Sequence, residues 1–409
     1  ISAGYPVGVE MNTYDIMDGI YNLQGVNYIS LFMDDSLLFD YALETFDYEE
    51  SHCINAHVDF ETLKRKGSWY HKCYVADGNI IKSYKTRNRG FITINDTKNH
   101  KVVAQVKDYN GNTSRLEFNI SARPHQLFYR VPILKRIFPP KRKMTEQLLE
   151  NTLKLEYFDR NDNMNLLAEV HSKGKAEPLA PSYVKGNFTT VYMLDLKKNL
   201  PDSITICDFV YPLHFKKMIV PKRKQEYTHD NVILQFDEET LYDTLYLRFY
   251  KDDRGFVVND YTIPFQGSLG VKINELHALE DKLHTAAFAD GGRGRLAFAG
   301  GKWSSDSTSL YYKTKGPGAY TLARDIAAPT LKVTKKNKKE IQFKASDPGS
   351  GIAKYECYVN GQWVLMNYDY KRSLFWSEKL NPKVPFKGEL LIRVADNLGN
   401  VREQKHNIK

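Results

Sequence analysis

The chain has 409 residues, more than one ordinary core accommodates, so about two to four domains are expected. Its 42% hydrophobic and 26% charged content excludes disordered and fibrous classes, and no run of about 18 apolar residues offers a membrane-spanning helix. The net charge of +9 gathers at Lys135, Arg136 and Lys141 to Lys143, at Lys222 to Lys224, and at Lys335, Lys336, Lys338 and Lys339. The first two blocks flank prolines and read as solvated linkers and the third as a turn between strands, so no nucleic-acid partner is expected.

The first residue is Ile1, with no basic segment and apolar run of the signal-peptide kind, so a mature or truncated polypeptide is expected. The many Tyr and Phe residues suit half-buried pleated surfaces, and the chain reads as short strands from its start. Tyr28 to Met33 runs into Asp34-Asp35 before Leu37 to Phe39, and Lys101 to Val106 runs into Asp108 to Asn112 before Arg115 to Ile120. Polar and Asn-Gly breaks between apolar runs are hairpin signals. Arg123 to Pro140 is rich in proline and basic residues and marks a boundary. Met144 to Leu153 is read as two or three helical turns, followed by strands at Leu153 to Phe158, Thr190 to Leu194 and Ser203 to Cys207. Val232 to Phe236 and Leu245 to Tyr250 are strands, the second placing Leu245, Leu247 and Phe249 on one face. Ile273 to His284 is read as another helical piece, and Gly316 to Tyr320 as a turn into a strand.

After a short Ala327-Ala328-Pro329 linker the opening design returns. Gly351 to Val359 ends at Asn360-Gly361 as Gly25 to Met33 ends at Asp34-Asp35, and Val394 to Asn400 matches Val106 to Asn112. Two markers in one order argue for two copies of one module, the first carrying an insertion. The fold expected is all-β: tandem immunoglobulin-like β-sandwich modules with a few short helices. The modules span residues 1–122, 123–226 (after the basic, proline-containing linker), 227–326 and 327–409.

No complete catalytic centre emerges. His52, Cys53, His57, Asp59, His71 and Cys73 are the densest set of metal-ligating residue types, but their spacing is not that of a closed zinc site. His277, Asp281 and His284 would share a face only on a helix. Asp159, Asn161, Asn163 and Asn165 open like a calcium loop, but Met164 and Val170 replace its glycine and its bidentate glutamate. Gly349-Ser350-Gly351 is not a nucleophile elbow, and Gly291 to Arg295 lacks the residues of a phosphate loop. Adjacent carboxylates such as Asp34-Asp35, Glu49-Glu50 and Asp252-Asp253 diverge on a strand and make poor acid–base partners. The four cysteines form no C-x-x-C pair. A Cys53–Cys73 disulfide stays open beside the commoner reading of buried free thiols. No catalytic, cofactor-binding or metal residue is therefore assigned.

The ordered blocks Asn12 to Asp15, Gly25 to Asp34, Phe46 to Ser51, Ile54 to Phe60, His71 to Cys73 and Val106 to Thr113 resemble a non-catalytic region of known kind. It follows the peptidase domain in lysostaphin-type (LytM-like) zinc metallopeptidases of Bacteroidota. Asp325 to Thr330, Ser346 to Ile352 and Asn360 to Met366 agree in kind, and the middle of the chain agrees more loosely. The resemblance implies a periplasmic or cell-envelope protein whose peptidase domain cleaves peptidoglycan cross-links with zinc held by His-x-x-x-Asp and His-x-His motifs. Here no two histidines lie two apart, and the first spacing occurs only at His277 and Asp281, without the usual internal glycine. The family's catalytic residues are therefore not carried over, and zinc is expected only in a peptidase domain outside this chain.

Three functions follow as expectations. The first is an accessory region positioning a murein hydrolase or docking it to an envelope protein or to peptidoglycan, with no transmembrane segment. The second is the same enzyme with its catalytic domain upstream of Ile1, and its counterpart is a stand-alone envelope scaffold. The third is a polymer-binding module using exposed aromatics such as Trp69 and Trp303, with Trp363 read as a sandwich core residue.

Overall fold

The computed structural model describes residues 6–16, 19, 22–122, 142–160, 167–186, 188–290 and 296–409. They form β-sandwich modules built from antiparallel strands, with helix confined to one stretch near the start and a short 3-10 turn at Asn88–Gly90. Two compact units result. One comprises Ile1–Arg223, Glu238–Phe249 and Thr262–Gly267, and the other Lys224–Asp237, Tyr250–Tyr261 and Ser268–Lys409.

In the first unit, the strands Tyr84–Thr86, Ser36–Ala42, Tyr28–Met33, His100–Lys107 and Thr113–Ile120 form one sheet in that order. Side chains alternate across it, so Ile29, Leu31, Phe39, Tyr41, Val102 and Ala104 share the buried face. Val9, Met11 and Cys73, in and beside a ribbon in which Glu10–Asn12 pairs with Tyr70–Lys72, pack against that face. Between the strands lies the insertion: a 3-10 turn over Tyr48–Cys53 and helices over Ile54–His57 and Phe60–Lys66. The Asp59 carboxylate caps the last helix by accepting from the Thr62 N–H at 3.0 Å, and Gly67 ends it in the left-handed region. His52 and His57 therefore lie on helical turns, not on one strand.

The second sandwich corrects the first expected helix. Met144 to Leu149 belongs to the strand Arg142–Leu149, which turns at Glu150-Asn151 and pairs along Thr152–Asp159. Met, Glu, Gln and Leu are good helix formers, but the period-two burial of Met144, Glu146 and Leu148 against a ready partner strand outweighs that weak preference. The other layer orders Lys175–Leu179, Ala168–Ser172, Ser203–Ile206 and Phe209–Pro212, and the core between them holds Leu153, Leu155, Tyr157, Tyr192, Ile204 and Ile206.

These two sandwiches of the first unit interlock through a buried polar knot. The Asn151 amide donates to Asp77 at 3.1 Å and to Asp243 at 2.7 Å, and its carbonyl accepts from the Tyr246 hydroxyl at 2.7 Å. Lys197 and Arg89 each reach Asp77 at 2.6 Å, and the Tyr242 hydroxyl donates to the His52 carbonyl at 2.6 Å.

In the second unit, one sandwich pairs the layer Gln225–His229, Val232–Phe236, Leu269–Ile273, Leu310–Thr314 and Lys302–Trp303 with strands Gly255–Val258, Gly318–Arg324, Thr285–Asp290 and Leu296–Gly300. The second expected helix is absent: Leu269–Ile273 is a strand, and the residues after it run through turns to Thr285. The last sandwich packs Ile341, Phe343, Cys357, Phe375, Leu390, Ile392 and Val394 between its layers, with the Phe343 and Phe375 rings stacked at 4.7 Å.

The internal repeat is visible in the topology. The order Ser36–Ala42, Tyr28–Met33, His100–Lys107, Thr113–Ile120 recurs as Gln362–Trp363, Ile352–Val359, Gly388–Asp396, Val401–Ile408. Both first hairpins close on two left-handed residues, Asp34 (φ 49°) with Asp35 (φ 61°) and Asn360 (φ 48°) with Gly361 (φ 76°). Such turns match the strand twist. In both second hairpins an aspartate folds the turn onto an asparagine. Asp108 accepts from the Asn112 backbone at 2.8 Å and side chain at 2.6 Å, and Asp396 from those of Asn400 at 2.8 and 2.7 Å.

Candidate functional site

Asp396 does more than close its turn. Asp325, at the exit of Gly318–Arg324, and Asp347, just after Ile341–Ser346, come to the same place, with one carboxylate oxygen of each of the three within 4.8 Å of the others. Asp325 and Asp396 are buried and Asp347 is half-buried. The loop Asp347-Pro348-Gly349-Ser350-Gly351 wraps them. The Ser350 N–H donates to Asp325 Oδ2 at 2.7 Å and the Gly351 N–H to Asp347 Oδ2 at 2.7 Å. A Cβ at Gly349 would stand 2.3 Å from Asp325 Oδ2, so a side chain there would push that carboxylate out of its place. Asp325 also receives the Ala327 N–H at 3.1 Å, and its carbonyl takes the Asn400 amide at 3.0 Å. Burial pushes the Asp347 carboxyl above the ordinary range, the Gly351 N–H opposes this, and the Asp325 and Asp396 charges add to the rise. The donors are all oxygens. Such a set suits a hard cation and lacks the imidazole and thiolate donors that zinc and copper prefer.

Sequence reasoning placed all three aspartates in recognised blocks without joining them. The readable signal was that each block carries its aspartate at a strand end, Asp347 beside Ser346 and Asp396 beside Asn397, with Asp325 just ahead of the Ala327-Ala328-Pro329 link.

The histidine and cysteine set meets only in part. His57, fully enclosed, receives the Tyr84 hydroxyl at its Nδ1 (2.9 Å) and approaches His71 Nδ1 with its Nε2 (3.1 Å). The Asn79 carbonyl accepts the Ile81 N–H, which turns its amide to donate to the Tyr84 oxygen at 3.0 Å. Tyr84 therefore donates to His57 Nδ1, and His57 Nε2–H donates to His71. Both nitrogens of His57 are occupied, so the pair does not fit zinc. Desolvation first, then the neighbouring His71 and Lys72, lower the His57 pKa to about 3, and burial lowers that of His71. Cys53 and Cys73 are separate buried free thiols, the latter pushed up to about 12 by burial, so no disulfide joins them. His52 stacks on Tyr242 and Asp59 serves its helix cap.

The chain of bonds at His57 makes stability pH-dependent. With its folded pKa below the unfolded value, the unfolded chain binds the extra proton between pH 6.5 and about 3, so stability falls as pH falls through that window. Lowering the pH from 7 to 5 is expected to cost about 2 kcal/mol at this site, and His57→Gln to flatten the slope. Urea unfolding at the two pH values measures it; equal midpoints would refute the enclosed neutral histidine.

The remaining candidates do not assemble. Asp281 binds His284 at 2.9 Å and Arg324 at 2.5 Å on a turn rather than a helix, and His277 takes no part in that cluster. Trp69 is 47% exposed, whereas Trp303 is half-buried and donates to the Thr285 carbonyl at 3.2 Å. Trp363 is not a core residue: it is 55% exposed, because the Asn360-Gly361 turn sets a register that turns Val364 inward instead. Lys335 to Lys339 surround the turn between Thr330–Lys336 and Ile341–Ser346, as expected. Asn161, Asn163, Met164 and Asn165, the Gly291 to Arg295 segment, and Arg123 to Lys141 with its basic residues lie outside the described residues.

Fold and site together define an all-β chain of sandwich modules with an acidic, oxygen-only cluster. No protein-family model matches it, and no curated protein matches it. Among solved structures it is similar at 7% identity to SGBP-B of the Bacteroides ovatus mixed-linkage glucan utilization locus, solved with a mixed-linkage heptasaccharide. That match covers 98% of this chain and 63% of that one, with a TM-score of 0.15. A 1.5-MDa bacterial ice-binding adhesin (8% identity, 94% and 86% covered, TM-score 0.15) and a Ca2+-stabilized adhesin of an Antarctic bacterium (9%, 93% and 88%, TM-score 0.16) are also similar. TM-scores this low carry no argument about function. Among the described residues no helix is long and apolar enough to cross a membrane, which leaves β-barrels unaddressed.

Proposed function

We propose that this chain is a non-catalytic scaffold and docking region of the cell envelope, of the kind the sequence blocks resemble beside lysostaphin-type peptidases of Bacteroidota. The observation that supports it best is the duplicated module: one sheet order and one Asp-to-Asn turn recur at the chain's two ends, in the blocks that carry the resemblance. Conserving a turn's hydrogen bonds while the rest of the module diverges is what a repeated spacer requires. The interlocked first pair of sandwiches supports a positioning role, since a knot of buried hydrogen bonds holds one orientation. The proposed location is the periplasm or cell envelope, the partner peptidoglycan or an envelope protein, and zinc belongs to a peptidase domain rather than to this chain.

The test is a pull-down of the full chain with purified peptidoglycan sacculi and, separately, with envelope extract. Retention on sacculi or reproducible capture of one envelope protein is expected; recovery of neither would sink the proposal. Exposed Trp363 and Trp69 favour polymer contact as the docking chemistry. If so, Trp363→Ala lowers retention on sacculi about tenfold without shifting the unfolding midpoint. Unchanged retention for both tryptophan variants would remove that reading.

A further inference from the structure

We propose that Asp325, Asp347 and Asp396 hold one calcium ion that staples the last two sandwiches of the second unit to each other. The inference stands apart from the proposed function. Three acidic residues near one another are common and prove nothing alone. Here two further atoms point to a ligand: Asp347 Oδ1 is enclosed and has no hydrogen-bond partner, and Ser350, only 2% exposed, has a hydroxyl without one. That hydroxyl belongs to the residue whose N–H bonds Asp325 Oδ2, so covalent geometry keeps it beside the cluster. The protein has supplied donors to the other Asp347 oxygen and to Asp325 and Asp396, yet leaves these two atoms unsatisfied. Buried groups of this kind cost stability unless something meets them, and a cation bound by the carboxylates would meet both.

The ion's identity follows from size and donor type. Calcium accepts six to eight oxygens at about 2.3–2.6 Å, so oxygens on opposite sides of it stand about 5 Å apart. The three carboxylate oxygens, all within 4.8 Å of one another, fit around such an ion. Magnesium demands a tighter octahedron and keeps its waters, which an enclosed cluster of protein oxygens does not favour.

The position gives the ion its consequence. Asp325 joins the end of Gly318–Arg324 to the start of Thr330–Lys336, and its N–H donates to the His284 carbonyl of the preceding sandwich at 2.9 Å. Asp347 and Asp396 belong to the following sandwich. An ion bound by all three fixes the link at the residue where one sandwich becomes the next.

The experiment uses the full chain stripped with EDTA, titrated with CaCl2 by calorimetry and melted with and without the metal. One equivalent bound, and a melting rise of about 5 °C or more at saturation, are expected. Asp347→Asn and Asp396→Asn should each abolish the rise. Asp347→Asn removes one of three like charges and should be at least as stable as the parent in EDTA, which separates lost binding from lost folding. Absence of binding and of any shift at millimolar calcium overturns the proposal whatever the variants do. So does a rise that survives both substitutions, and an equal response to MgCl2 overturns the choice of calcium.

Discussion

Gly78→Ala is expected to destabilise the first unit by about 3 kcal/mol or more. The residue sits at φ 75°, where an L side chain costs about 1–2 kcal/mol, and a Cβ there would stand 1.8 Å from the Tyr242 carbonyl oxygen and 2.5 Å from its carbon. Both neighbours are backbone, so neither yields by changing rotamer. Tyr242 is itself held by its hydroxyl bond to the His52 carbonyl at 2.6 Å and by stacking on the His52 ring. The first sandwich must therefore draw away from the Tyr242 segment or break that anchor. Gly174, at φ 78° with nothing near its missing Cβ, is the control: alanine there costs only the conformational part. Urea unfolding of both variants decides it, and equal, small losses would show that the close approach does not matter.

Asn151→Ala is expected to cost about 3 kcal/mol in the same unit. The asparagine is 7% exposed, and its one amide serves two carboxylates and one phenol. Burial raises the Asp243 carboxyl despite the Thr244 N–H and the Asn151 amide that stabilise its ionised form. Burial acts the same way on Asp77, but Lys197 and Arg89 prevail and hold it below the usual range. Removing the amide leaves Asp243 with less compensation in a buried setting, where a lost partner costs more than the hydrogen bond itself had contributed. Because both substitutions act at one interface, their effects should not add. A double variant losing clearly less than the sum by 0.5 kcal/mol or more would demonstrate the coupling, and full additivity would argue against a single knot.

The sequence was most legible where structure is local. Asp34-Asp35, Asn360-Gly361, and the turns from Asp108 to Asn112 and from Asp396 to Asn400 are specified by residues that bond their own backbone or tolerate left-handed torsions. The strands beside them follow from alternation, and the repeat from the order of these markers. The failures are equally physical. Met144 to Leu149 carries helix-forming residues but has a partner strand a turn away, and pairing is a tertiary matter. The exposure of Trp363 depends on a register that one residue of slip would invert.

By itself, then, the sequence determined an all-β chain with a module used twice, because turns and two-residue periodicity are short-range properties of the residues that show them. Only the tertiary structure decided which distant side chains meet. It seated His57 between Tyr84 and His71, closed the Tyr242 backbone over Gly78, and brought together Asp325, Asp347 and Asp396 from three strand ends. Those meetings depend on how strands order within sheets and sheets stack into sandwiches, which is set by the summed packing of each core and by no single stretch of chain.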